Sequence, residues 1–192
     1  DNSMCGDCME YPPLYGRAYA PLVYNDSLKR LILRFKNYDN LQLSHLFVKF
    51  MLPIIPENIE YLIPVPLHWK KLWARQYNQS LELVKVISTK TKIPFLYNNL
   101  QRTRETNLKE CKTRWERYDA LKEVFEVENT EVINGKNLLL VDDVVTSGAT
   151  ANACASTLKN AGAKRVDVLA IARTVKNQEL KTLKILVLFM KR

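Results

Sequence analysis

Two adjacent carboxylates, Asp142 and Asp143, follow the apolar run Leu138–Val141 and precede Val144, Val145 and the small residues Thr146, Ser147, Gly148, Ala149 and Thr150. The two halves of this stretch suit two parts of one ligand. A glycine turn that enters a helix offers free backbone N–H groups and the positive end of the helix dipole, which together favour a phosphate. Gly148 permits a left-handed backbone and close approach, and the hydroxyls of Thr146, Ser147 and Thr150 add donors. Ionised carboxylates only accept hydrogen bonds, so they suit sugar hydroxyls, and Mg²⁺ also sits well beside them. A 5-phosphoribosyl group asks for both halves: the loop takes the phosphate and the acids take the 2- and 3-hydroxyls. The rival reading is that the acids merely end a strand and cap a helix. One acid would do that, whereas two at a buried strand end repel each other and cost desolvation.

Other phosphate chemistries are excluded by the five glycines, Gly6, Gly16, Gly135, Gly148 and Gly162, which make neither GxGxxG nor GxxxxGK[ST]. With only His45 and His68 in the chain, HExxH is impossible, and GxSxG does not occur. A second cluster follows Pro64 and Pro66: Lys70, Lys71 and Arg75, with no acid among them, suit phosphate oxygens or form a solvated basic turn. Trp69, Trp73 and Trp115 lie beside cations, where they either stack bases or pack. Residues 101–118 hold six Lys/Arg against three Glu and read as a loop, with Arg102, Arg104, Arg114 and Arg117 as candidates for a closing flap. Arg173 ends a strand on the same edge as the acids.

The elements that must carry these groups are α/β. Leu28, Leu31, Ile32 and Phe35 fall at helical spacing behind a cap at Asp26. Further helices are expected over Leu43–Met51, Ser80–Thr91 and Thr150–Ala161, the last closed by Gly162. Strands are expected at Tyr61–Val65, Ile93–Tyr97, Val124–Glu128, Leu138–Val141 and Val166–Ala172. Leu138–Val141 is a continuous apolar run, the pattern of a strand buried on both faces. Strand, helix, strand in succession gives a right-handed crossover and a parallel sheet, with the ligand at its carboxyl edge. The expected division is a Pro-, Gly- and Tyr-rich appendage at 1–21, a helical hood over 22–60 and the main domain from 61 to 192.

Hydrophobic residues make up 47% of the 192, enough for a core, and the formal charge of +9 points to an anionic partner. Charge alone does not choose between nucleic acid, phosphorylated metabolites and a membrane surface. No apolar run reaches the roughly 18 residues of a membrane span, and no secretory signal is visible. Four cysteines, Cys5, Cys8, Cys111 and Cys154, fit a reducing cytoplasm better than a disulfide scaffold.

The stretch VDDVVTSGAT resembles the signature by which type I phosphoribosyltransferases bind 5-phosphoribosyl pyrophosphate (PRPP). IPVPLHWKKLWARQYNQS at 63–80, the spacing of Thr106, Arg117 and Phe125, and Cys5-x-x-Cys8 before two prolines are similar to the competence protein F (ComF) family. The resemblance implies a type I phosphoribosyltransferase fold and PRPP bound with Mg²⁺ by residues 142–150. It implies pyrophosphate contacts from the Pro66–Arg75 segment and displacement of pyrophosphate by a nitrogen nucleophile, with Asp142, Asp143 and Arg75 closest to the chemistry. It equally allows a non-catalytic protein of this fold working in DNA uptake or DNA binding. ComF-type proteins usually carry four cysteines in an N-terminal zinc finger. Cys5 and Cys8 match only its second pair, and two ligands leave half the Zn²⁺ tetrahedron open. Lys109 and Ala120 stand where the family tends to have Gln and Asn.

Overall fold

A computed structural model describes residues 12–36, 42–107 and 110–174, apart from the side chains of residues 71, 74, 114 and 115. Cys5 and Cys8 therefore lie outside the described residues. Its centre is a parallel sheet of β1 (Ala18–Tyr19), β2 (Leu22–Val23), β3 (Tyr61–Pro64), β6 (Asn137–Val145) and β7 (Arg165–Arg173). The order is β1-β7-β6-β3, with β2 continuing along β7 beyond β1. A two-stranded antiparallel ribbon, β4 (Leu100–Arg102) with β5 (Phe125–Val127), stands apart from this sheet.

Side-chain alternation along the central strands explains their unbroken apolar runs. Leu138 and Leu140 enter one core with Ile63, Val166 and Val168, closed by Cys154, Ala155 and Leu158 of α6 (Ala149–Asn160) and by Phe125. Leu139 and Val141 enter a second core with Leu62, Leu169 and Ile171. That face is covered by α1 (Asp26–Lys36), α2 (Gln42–Met51) and α4 (Gln79–Thr91). α1 contributes Leu28, Ile32 and Phe35, one stripe at helical spacing. Phe35 is fully buried and meets Phe47 edge-on at 5.6 Å; burying such a side chain contributes about 1.5–3 kcal/mol.

Several local expectations change. The cap of α1 is Asn25, whose Oδ1 accepts the Leu28 N–H at 2.9 Å, and Asp26 is the first helical residue. Ile93–Tyr97 forms no strand; only Phe95 bridges to Leu62, because Pro94 supplies no ladder donor. The cationic 101–118 segment is not simply a loop: it begins in β4 and holds the short helix α5 (Arg114–Asp119), capped by Thr113. The Trp69–Arg75 stretch is a helix, α3, rather than a loop, capped by His68 and closed by a left-handed Gln76. No break in the sheet falls at residue 21, since β1 and β2 on either side of it both pair with β7.

Candidate functional site

After β3 the chain runs through α3 into α4 on one face of the sheet; after β6 it turns into α6 on the other face. The crevice between the carboxyl ends of β3 and β6 is thus the point at which the winding direction switches, the usual ligand position in an open α/β sheet. α4 is pinned there through its cap. Asn78 donates from Nδ2 to the Val65 carbonyl at 3.0 Å and accepts the Ser80 N–H at 2.9 Å.

The two acids lie within β6, not beyond it. The strand continues to Val145, and Asp142 and Val144 are still in register with Ala170 and Ala172. Alternation then separates the pair. Asp143 forms an ion pair with Lys36 at the end of α1, Nζ to Oδ2 at 2.8 Å, with its side chain only 14% exposed. Asp142 instead lines the cavity beside the loop. Its Oδ1 accepts the Asp143 N–H at 2.8 Å and the Ser80 hydroxyl at 3.5 Å. Burial, followed by the neighbouring Asp143 charge, pushes the Asp142 carboxyl up to about 7; the Asp143 N–H, Lys36 and Ser80 oppose the rise. The two acids thus have different surroundings, Asp143 tied to Lys36 and Asp142 lining the pocket.

A sign follows for stability. An acid raised in the folded state favours folding while neutral, and that contribution is lost as pH rises through its folded value. Wild type should therefore lose stability between about pH 4 and about pH 7 relative to Asp142→Asn, which cannot ionise. The gap should reach on the order of 2 kcal/mol, below the 1.36 kcal/mol per unit for the whole shift because the cavity admits water. Urea midpoints of both proteins at about pH 4 and about pH 8 check this; an equal gap at both values contradicts it.

The loop from Val145 to Ala149 closes a cavity of about 250 Å³, lined by Asp142, all of residues 144–151 and Arg117. Gly148 is the cap of α6 with φ 76°, in the left-handed region, and is buried. The first N–H groups of α6 have no partner within the helix, the condition for an anion cradle. Ser147 Oγ accepts the Ala149 N–H at 3.4 Å. Thr174 clamps the loop from β7, its N–H to the Val145 carbonyl at 3.0 Å and its hydroxyl to the Thr146 carbonyl at 3.1 Å. Over the loop lies the segment Leu14–Arg17. The Leu14 N–H reaches Asn152 Oδ1 at 2.6 Å, and the Arg17 N–H reaches Asp167 Oδ1 at 2.9 Å. A Cβ on Gly16 would stand 2.6 Å from that same oxygen, so the close approach needs glycine; a Cβ on Gly148 would stand 3.1 Å from the Tyr15 hydroxyl.

The other sequence candidates are distributed. Of the proposed flap arginines, Arg117 lines the cavity, with Nε donating to the Cys111 carbonyl at 3.4 Å. Arg102 is bound to Thr106 and stacks over Phe125 at 5.6 Å. Arg104 is exposed beside Glu123, and the Arg114 side chain is outside the described set. Pro66 lies just past β3. Lys70 pairs with Glu105 at 2.8 Å, the Lys71 side chain is outside the described set, and Arg75 is the half-buried last residue of α3. None of Pro66, Lys70 or Arg75 lines the loop cavity. Lys36, Ser80 and Tyr15 were not singled out as site residues in the sequence because each reaches the site from a distant element.

A phosphoribosyl transferase domain matches residues 75–191. The chain is 30% identical to the DNA utilization protein YhgH of Escherichia coli K12, over 89% of this chain and 78% of that protein. It is 27% identical to competence protein F of Haemophilus influenzae, over 88% and 78%. Against competence protein ComFC of Streptococcus pneumoniae the identity is 29%, over 80% and 67%. Among solved structures, glutamine PRPP amidotransferase from B. subtilis superposes with a TM-score of 0.50 at 15% identity, over 72% of this chain and 30% of that one, a likeness of fold.

Proposed function

The chain belongs to the ComF family of the phosphoribosyltransferase superfamily, and from that membership we propose that it binds Mg²⁺-PRPP and transfers the phosphoribosyl group to a nitrogen nucleophile. The observation that carries this reading is the cavity at the end of β6, where a helix-capping anion cradle and the Asp142 carboxyl line one space. The 5-phosphate sits against Thr146–Thr150, with the Arg117 guanidinium as a charged donor at the wall. Asp142, once ionised, accepts from a ribose hydroxyl; Asp143 keeps Lys36 and the hood helix α1 at the sheet edge. Ribose C1 then opens toward the β3–β6 crevice, with Pro66, Lys70, Lys71 and Arg75 as the candidates for pyrophosphate.

The C1–O bond to pyrophosphate breaks, a C1–N bond forms, and the proton of the acceptor nitrogen passes to solvent. What the chain supplies is positioning and stabilisation of the departing charge. Among the described residues no three His, Cys, Asp or Glu side chains gather as a metal cage. Magnesium fits here as part of the substrate, held by PRPP oxygens and water, and when bound it neutralises charge on the leaving group. The test is pyrophosphate release from PRPP over a panel of bases and amines. Release with at least one acceptor is expected; PRPP binding with no release across the panel would leave a binding protein and no enzyme.

A second reading, a non-catalytic protein of DNA uptake or DNA binding, is favoured by the names of the relatives and by the charge of +9. Salt separates the two: nucleic-acid binding falls steeply with salt through counterion release, and a small ligand in a preformed cradle responds less.

A further inference from the structure

α3 carries the two most exposed large hydrophobic side chains among the described residues, Trp69 at 63% and Trp73 at 79%. Four residues apart, they share one face of the helix, about 6 Å from each other along its axis. Leu72 between them is half-buried, whereas both indoles face outward by their exposure. The same seven residues include Lys70, Lys71 and Arg75 and no acid. Lys70 Nζ stands 5.8 Å from the Trp69 ring centroid while paired with Glu105. That pair joins two exposed groups and is weak enough to exchange for a phosphate.

We propose that Trp69 and Trp73 form a stacking platform for a single-stranded nucleic acid, with Lys70 against its phosphates. The proposal rests on the DNA-handling reading and is independent of the sugar-phosphate one. Charge selects a polyanion: cations are interleaved with the indoles, and stacking on an aromatic face tolerates any base. Spacing selects a single strand. Positions about 6 Å apart along the helix axis carry rings that suit bases freed from the roughly 3.4 Å step of a stacked duplex.

The test is anisotropy of a labelled oligodeoxythymidylate, read together with indole fluorescence. Wild type should bind and its emission should be quenched. Trp69→Ala and Trp73→Ala should each weaken binding roughly tenfold, and the double variant about a hundredfold with most of the quenching lost. The melting temperature should not move, because neither ring is core. Trp69→Phe with Trp73→Phe keeps a π face and should retain most of the affinity, which keeps the test decisive if the alanine protein folds poorly. Lys70→Gln should reduce the slope of log K against log salt by about 0.7. No binding by wild type would overturn both the platform and the DNA-handling reading, whatever PRPP titration shows. Oligonucleotide binding unchanged in the double variant would overturn the platform alone. A double variant that instead alters self-association in sedimentation would reassign the face to protein contact and overturn the proposal as well.

Discussion

Gly148→Val should abolish PRPP binding. The residue holds φ 76° at the cap of α6, and a Cβ there meets the Tyr15 hydroxyl at 3.1 Å on the side covered by the Leu14–Arg17 segment. A β-branched residue in the left-handed region costs about 1–3 kcal/mol, and relaxing it turns the N–H groups of the loop away from the phosphate. Two charge-assisted bonds lost at about 1.5–3 kcal/mol each exceed a hundredfold in affinity. Burial of Gly148 changes what is expected of the fold. A surface loop would absorb valine without consequence; beneath Tyr15 the variant should melt about 5–10 °C lower yet remain folded. Gly148→Ala with Tyr15→Phe separates the causes. If the clash with the tyrosine hydroxyl were everything, this pair would recover wild-type affinity, whereas a spoiled phosphate approach leaves it weak. Oligonucleotide affinity should barely change in Gly148→Val. Calorimetry and anisotropy on the same samples at two salt concentrations decide it, and joint collapse of both ligands in a folded protein would place them on one loop.

Asp142→Asn with Asp143→Asn should weaken PRPP binding by about 1.5–3 kcal/mol for each charged acceptor lost, and the structure makes the two contributions unequal. Asp142 lines the cavity, so its single variant should account for most of the loss. Asp143 faces Lys36; replacing it leaves a half-buried ammonium without its partner, and the effect should appear mainly in stability and in the seating of α1. Unchanged calorimetric affinity in the double variant removes the ribose assignment. Equal losses from the two single variants would contradict the division of roles.

The centre of this architecture was legible because its physics is local. Leu138–Val141 has the pattern of a strand buried on both sides, and Gly148 before an alanine-rich run that of a helix entry, so β6, the loop and α6 followed. Asp142 and Asp143 were misplaced to the strand end because charges usually terminate strands; here parallel pairing with β7 carries the backbone on to Val145. α3 was hidden by its brevity and its proline-rich approach. β1 and β2 are two residues each and carry no periodicity at all. The Lys36–Asp143 pair joins elements more than a hundred positions apart, and no spacing rule reaches that far.

The sheet edge at β7 is laid down by the beginning of the chain, with Arg17 bonded to Asp167 across a separation of 150 residues. Such a contact closes a very long loop and is slow to form. During synthesis the Leu14–Arg17 segment emerges long before β7 and must wait for it before it can dock. Until then Tyr15 is absent from the roof of Gly148, and the first strand leaves one edge of β7 open to pairing with another chain. The loop cavity is therefore among the last parts of the molecule to mature, and a truncation that stops short of residue 166 would leave a nascent protein with neither its roof nor its edge.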